Sequence, residues 1–173
     1  MLHRVSIPVD NPLHVANVLS EILHGIVLQG SDYPYNYAVL LNDEYGSAIE
    51  LVQSGNEVII GQNQDKFEYE YNLNHSDFSP VHLAISVPMS RYEIEQIGER
   101  EGWHVAVGNR GRFKLIEFWV ENKFLLELML PKIVPQYVKS MTPNEFIVLA
   151  FIMGGLKKIR TIASSFPKIR FGF

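Results

Sequence analysis

The feature that most restricts what this chain can fold into is an internal repeat with a period of 77 residues. Gly25 and Gly102 stand that far apart, and so do Glu50 and Glu127. Each glycine follows a helix-like segment. Each glutamate sits inside an apolar, strand-like run, Ala48-Ile49-Glu50-Leu51-Val52 and Leu125-Leu126-Glu127-Leu128-Met129. Upstream of each glutamate a histidine lies early in another strand-like run, His3 in residues 2–7 and His82 in residues 81–87. The order is His … Glu, then His … Glu again, at intervals of 47 and 45 residues. Repetition at such a period means that one supersecondary unit is used twice.

Within the first copy, residues 2–9 read as a strand. Asn11-Pro12 opens a helix that runs to about His24 and is stopped by Gly25, with Val15, Val18, Leu19 and Ile22 on one face. A short strand at 26–29 and strands at 37–41 and 47–53 follow, the last two joined by the turn 42–46. The second copy has a strand at 81–87 and a helix at 90–101, where Ser90 and Glu93 are spaced as a capping box. Gly102 stops that helix, and strands at 103–107, 113–120 and 123–130 complete the unit, the last two joined by the turn Glu121-Asn122. The predicted architecture is α+β: tandem βαβββ modules forming a curved, mostly antiparallel sheet around a cup, with a C-terminal helical extension. The first module spans 1–53 and the second 81–130. Residues 54–80 connect them, with one exposed strand at 66–71 and a polar loop at 72–80. Residues 131–173 form the extension, with a helix capped at Thr142 and Glu145 and then a basic tail.

A chain of 173 residues with 47% hydrophobic residues makes one ordinary domain or two fused small modules with a real core. Its net charge of −4 gives no reason to expect nucleic acid. The charge is uneven: residues 154–173 hold Lys157, Lys158, Arg160, Lys168 and Arg170 and no acid. That tail is expected to dock on the acidic body or across a dimer, not on a membrane. No cysteine is present, which excludes disulfides and thiolate metal ligands. The longest apolar run, 146–153, is too short to span a bilayer, and the first residues lack a secretory pattern. The expected setting is the cytoplasm.

Successive strand side chains alternate between faces. His82 shares a face with Ala84 and Ser86, Glu50 with Ala48 and Val52, Glu127 with Leu125 and Met129, and His3 with Val5 and Ile7. A carboxylate in such company is costly unless something compensates its charge. One histidine or glutamate on a strand is usually structural; here two pairs recur in step. If the two units pair, all four residues can meet in one apolar cup, and two imidazoles with two carboxylates suit a divalent first-row metal.

This pattern resembles the vicinal oxygen chelate superfamily, the group of glyoxalase I, bleomycin-resistance proteins and extradiol dioxygenases, over residues 2–130. His3, Glu50, His82 and Glu127 match one by one the family's ligand positions on the first and fourth strands of each unit. The His-Glu-His-Glu set looks most like glyoxalase I. The resemblance implies a divalent metal ion (zinc, nickel, iron, manganese or cobalt) held by these four residues. It also implies a small oxygen-chelating substrate and a lyase or isomerase reaction through an enolate-like intermediate. Glu127 is the implied proton-shuttling base and Glu50 the second candidate. An extradiol-type dioxygenase and a non-catalytic, antibiotic-resistance-like binding protein remain open as alternatives. A homodimer is expected, with cups formed within one chain or built from two, one His/Glu pair from each. Three places depart from bacterial glyoxalase I. Ile7 stands where that enzyme has an arginine contacting glutathione, Ser54 replaces an asparagine, and Glu121-Asn122-Lys123 replaces an Asp-Pro-Asp-Gly loop. These departures count against glutathione hemithioacetal as the substrate.

Several other residues allow two readings. Arg110 and Arg112 flank Gly111 in a turn and either clamp a substrate carboxylate or are simply solvated. Tyr33, Tyr35 and Tyr37 either line the cup rim or pack. His14, His24, His75 and His104 read as surface residues.

Overall fold

The structure, a computed structural model, describes residues 3–30, 36–61, 67–111 and 113–142. The helix predicted from Thr142 onward, the basic tail, Tyr33, Tyr35 and Arg112 lie outside the described residues.

The first unit consists of β1 (Arg4–Val9), α1 (Pro12–Leu23), β2 (Ile26–Gln29), β3 (Tyr37–Leu40) and β4 (Ala48–Gln53). Its sheet has the order β1-β4-β3-β2. The connection folds as a hairpin of β5 (Asn56–Ile60) and β6 (Phe67–Tyr71). The second unit has β7 (Leu83–Ser86), α2 (Arg91–Glu101), β8 (Val105–Asn109), β9 (Lys114–Val120) and β10 (Phe124–Met129), with the order β7-β10-β9-β8. A short helix, α3 (Val134–Ser140), follows. In both sheets the first strand lies parallel to the fourth and the remaining pairs are antiparallel. The parallel pairing follows from the helical crossover after the first strand, because parallel neighbours cannot be joined by a tight turn. The chain thus builds the same α+β topology twice.

Helices α1 and α2 form where the sequence places them. Asn11 caps α1 by accepting the His14 N–H at 3.2 Å, and Ser90 and Glu93 form the reciprocal capping box on α2. The two repeat glycines have different tasks. Gly102 is the left-handed cap of α2, at φ 69°. In the first unit that conformation falls on His24, at φ 52°. Gly25 is needed for clearance, since a Cβ there would come within 2.6 Å of the Leu40 carbonyl oxygen. Strand β8 starts two residues later than predicted. Trp103 still closes the helix end, with its N–H on the Gly98 carbonyl at 2.8 Å. The turn Glu121-Asn122-Lys123 joins β9 to β10; its first two residues have positive φ, 50° and 59°, and the Lys123 N–H closes it on the Val120 carbonyl at 3.0 Å.

One core serves both units. Val15, Leu19 and Ile22 of α1, Ile94 and Ile97 of α2, Ile49 and Leu51 of β4, and Phe118 and Leu126 of β9 and β10 belong to one buried cluster. Polar contacts join the helices across its rim. His14 Nε2 lies 2.6 Å from Glu101, and the Arg100 guanidinium pairs with Glu21 at 2.8 Å and Glu101 at 2.6 Å. Glu121 accepts the Asn11 N–H at 2.9 Å at the start of α1, where a negative charge suits the helix dipole. Lys123 bridges Asp10 and Asp77 at 2.7 and 2.8 Å. Among the described residues no helix is long and apolar enough to cross a membrane.

Candidate metal centre

The helix-bearing side of each sheet supplies most of the buried core, which leaves the other side open to chemistry. On the first sheet that side carries Ser6 and Glu50, which lie directly opposite each other on β1 and β4. The Ser6 hydroxyl donates to Glu50 Oε2 at 2.6 Å. On the second sheet it carries Ala84, Glu127, Glu117 and Ala106, aligned across β7, β10, β9 and β8.

The two candidate pairs are not equivalent. Leu83 pairs with Leu126 and Ala84 with Glu127, so His82, one residue before β7, continues onto the face of Ala84, two positions from the glutamate. In the first sheet the pairing offset differs by one residue: Arg4 is opposite Ala48 and Ser6 opposite Glu50. His3 then falls three positions from Glu50, on the side of Val5 and Ile7. Those two residues were expected to share the cup with His3. Instead they pair with Ile49 and Leu51 and belong to the core side, since a shift of one residue exchanges the faces of a strand. The His3 ring donates from Nδ1 to the Tyr45 carbonyl at 2.7 Å, and the His82 ring from Nδ1 to the Pro80 carbonyl at 3.1 Å. Both rings are exposed. A cavity of about 170 Å³ lies where the starts of β1 and β7 meet, lined in part by His3, Arg4, Ala48, Leu83 and Ala84.

Among the described residues of one chain, no three His, Cys, Asp or Glu side chains gather as a metal site. By its chemistry the set of two imidazoles and two carboxylates fits a divalent ion. By register His82 and Glu127 fall on one face of the second sheet, two positions apart.

Glu127 is not free. Arg110, in the turn after β8, donates from Nε to Glu127 Oε1 at 2.9 Å, and its terminal nitrogen bonds both that same oxygen and Glu117 Oε1, the latter at 2.9 Å. The bonds to Glu127 and then Glu117 hold the guanidinium pKa above its ordinary value. The side chain is 35% exposed, against 13% for Glu127 and 25% for Glu117. Arg110 is thus neither a solvated turn residue nor a clamp open to substrate: two carboxylates already hold it. Like charges directly across a strand pair repel, and the guanidinium between them offsets this. Gly108 leaves room for the group, since a Cβ there would lie 2.7 Å from Glu117 Oε1.

Glu117 was missed in the sequence, although a signal was present. Leu115-Ile116-Glu117-Phe118-Trp119 is an apolar strand run with a carboxylate at its centre, the same pattern that singled out Glu50 and Glu127. It has no counterpart at the repeat period, and the repeat was the filter. His14 was read as a surface residue; half its side chain is exposed, yet it bonds Glu101 and sets its ring edge-on to Trp103 at 6.2 Å. Tyr37 packs against the core.

No family model matches the sequence, and no curated protein does. Solved structures do match the fold. The fosfomycin resistance protein FosX from Listeria monocytogenes aligns over 79% of this chain and 97% of its own, with a TM-score of 0.52 and 13% identity. The same protein complexed with Mn(II) and sulfate aligns over 80% and 95%, at 0.51 and 14%. FosX from Mesorhizobium loti covers 79% and 96%, at 0.49 and 12%. Identities this low speak for the fold alone.

Proposed function

We propose that this chain, which has the fold of the vicinal oxygen chelate superfamily, is a glyoxalase-like metal-dependent lyase or isomerase acting in the cytoplasm on a small oxygen-bearing substrate. The observation that carries the reading is the placement of His82 and Glu127 on one sheet face, two register positions apart, beside the small Ala84. In this reading Glu50 of a second copy of the chain supplies a further carboxylate from the open face of its sheet, while His3, on the opposite face, is not a ligand that the register favours. A bound divalent ion would act there as a Lewis acid.

The remaining work falls to side chains of this chain. Glu127 takes and returns the proton, with Glu50 as the second candidate; Ser6 orients Glu50 by its hydrogen bond at 2.6 Å. Ala84 and Ala106 keep the floor of the cup shallow enough for a substrate to reach Glu127, and Ile26 and Leu28, exposed on the edge strand of the Glu50 face, give it apolar walls. The Mn(II) complex of Listeria FosX, on the same fold, makes manganese the first ion to try.

The test is metal analysis of protein purified without an affinity tag, followed by titration with Mn(II), Zn(II) and Ni(II). The expected result is about one ion per chain, lost in His82→Ala and in Glu127→Ala while the fold is kept. A folded wild-type chain that takes up none of the three ions overturns the proposal.

A further inference from the structure

The group that joins Arg110 to two carboxylates has a consequence for the metal centre proposed above, and the inference rests on that reading. Both Arg110 bonds to Glu127 end on one oxygen, Oε1. An ion that takes Oε1 must displace the arginine, whereas an ion on Oε2 need not, so a latch requires the ion on Oε1. A displaced guanidinium needs an acceptor nearby, because leaving it unpaired in a partly buried place is costly. The acceptor is already in contact: Glu117 Oε1, 2.9 Å from the terminal nitrogen. Glu117 needs the arginine in turn, since it stands directly opposite Glu127 and would otherwise be a lone carboxylate between Leu115 and Trp119 on its strand face. Gly108 beneath it leaves the carboxylate room to stay there.

We propose that Arg110 and Glu117 are positioning residues of the metal centre: Arg110 holds Glu127 while no ion is bound, and Glu117 receives Arg110 when an ion takes Glu127. The pair sets how tightly, and therefore which, divalent ions are held.

The test is titration with Mn(II) alone, read as free Mn(II) by electron paramagnetic resonance, on wild type, Arg110→Met, Arg110→Lys and Glu117→Gln. Far-ultraviolet circular dichroism and thermal melts confirm folding. Arg110→Met should bind on the order of tenfold more tightly, within the range of coupling between groups in direct contact. Glu117→Gln should bind several-fold more weakly, because Arg110 loses its charged alternative partner. Arg110→Lys separates a latch from a mere field. It keeps the charge and loses the planar fork, so a latch predicts binding tighter than wild type and a field predicts no change. Lysine behaving as wild type, or methionine binding no tighter, overturns the latch and leaves the metal site standing if wild type binds Mn(II). Binding by Arg110→Met but not by wild type supports both. Absence of binding in both overturns the metal reading, and the latch with it.

Discussion

Gly25 and Gly108 are both places where a methyl group does not fit, and what it would strike decides the outcome. At Gly25 the obstacle is backbone, the Leu40 carbonyl. At Gly108 it is the far end of two side chains, Glu117 Oε1 at 2.7 Å and Leu115 Cδ1 at 2.9 Å. Gly25→Ala should therefore destabilise the fold by about 1–3 kcal/mol, as overpacking does. Gly108→Ala should cost under about 1 kcal/mol, yet push Glu117 off Arg110 and weaken Mn(II) binding as Glu117→Gln does. Urea unfolding and metal titration of the two variants check this; equal stability losses with unchanged metal affinity would refute it. The open-face positions of Glu50 and Glu127 were legible in the sequence, where a repeat doubled them; that of His3 was not, because the register of the first sheet differs by one residue. The bond from Ser6 to Glu50 and the grip of Arg110 on Glu127 depend on register and on a turn's direction, and neither is written in residue spacing.

At the scale of elements, the N-terminus of α1 is satisfied twice, by Asn11 from its own unit and by Glu121 from the β9–β10 hairpin. Asn11→Ala should cost about 1 kcal/mol, the usual worth of an N-cap. Glu121→Ala should lower the urea midpoint too, although Glu121 lies 110 residues away in sequence. A midpoint unmoved by either substitution would mean that solvent caps this helix equally well. Both helices and the cross-over topology could be read from apolar periodicity, caps and stop signals. Strand β5 could not, because Val58-Ile59-Ile60 is a continuous apolar run without alternation. Only its pairing shows the two faces. Val58, Ile60, Phe67 and Tyr71 share one side of the hairpin with Tyr69, and Glu57, Glu68 and Glu70 share the other with Ile59. Helix α3 also went unread. It has no side-chain cap, and Tyr137 against Phe113, ring centres 5.5 Å apart, helps hold it in place.

At the scale of the molecule, the two units are held together by the shared core and by the ion pairs on its rim. Burial alone would push the Glu101 carboxyl up, but the bonds from Arg100 and His14 outweigh it and hold the group below its usual 4.5. A carboxyl depressed in the folded state stabilises above its unfolded value, and that contribution is lost as pH falls through the lower folded value. Arg100→Met should thus cost about 1 kcal/mol at pH 7, discounted because Arg100 is half exposed. The gap to wild type should close well below pH 4. A gap that stays constant from pH 7 to pH 3 would show that Arg100 acts through packing instead. Pairing of chains has its own test: a His3→Ala, Glu50→Ala chain mixed with a His82→Ala, Glu127→Ala chain. If cups are shared, heterodimers recover about half the wild-type metal; no recovery in a verified heterodimer rules sharing out.

The one-residue difference in register between the two sheets makes each chain carry two unlike half-sites. One has its histidine and glutamate on a common face and the other does not. Two copies that exchange halves about a twofold axis would put one half-site of each kind into every cup. The cups would then be identical, and a titration would return a single class of affinity. Copies that matched like half with like would instead make one strong and one weak cup, and the isotherm would bend in two steps. The asymmetry inside one chain would be hidden by the first arrangement and displayed by the second. The shape of a single binding curve therefore reports which halves face each other.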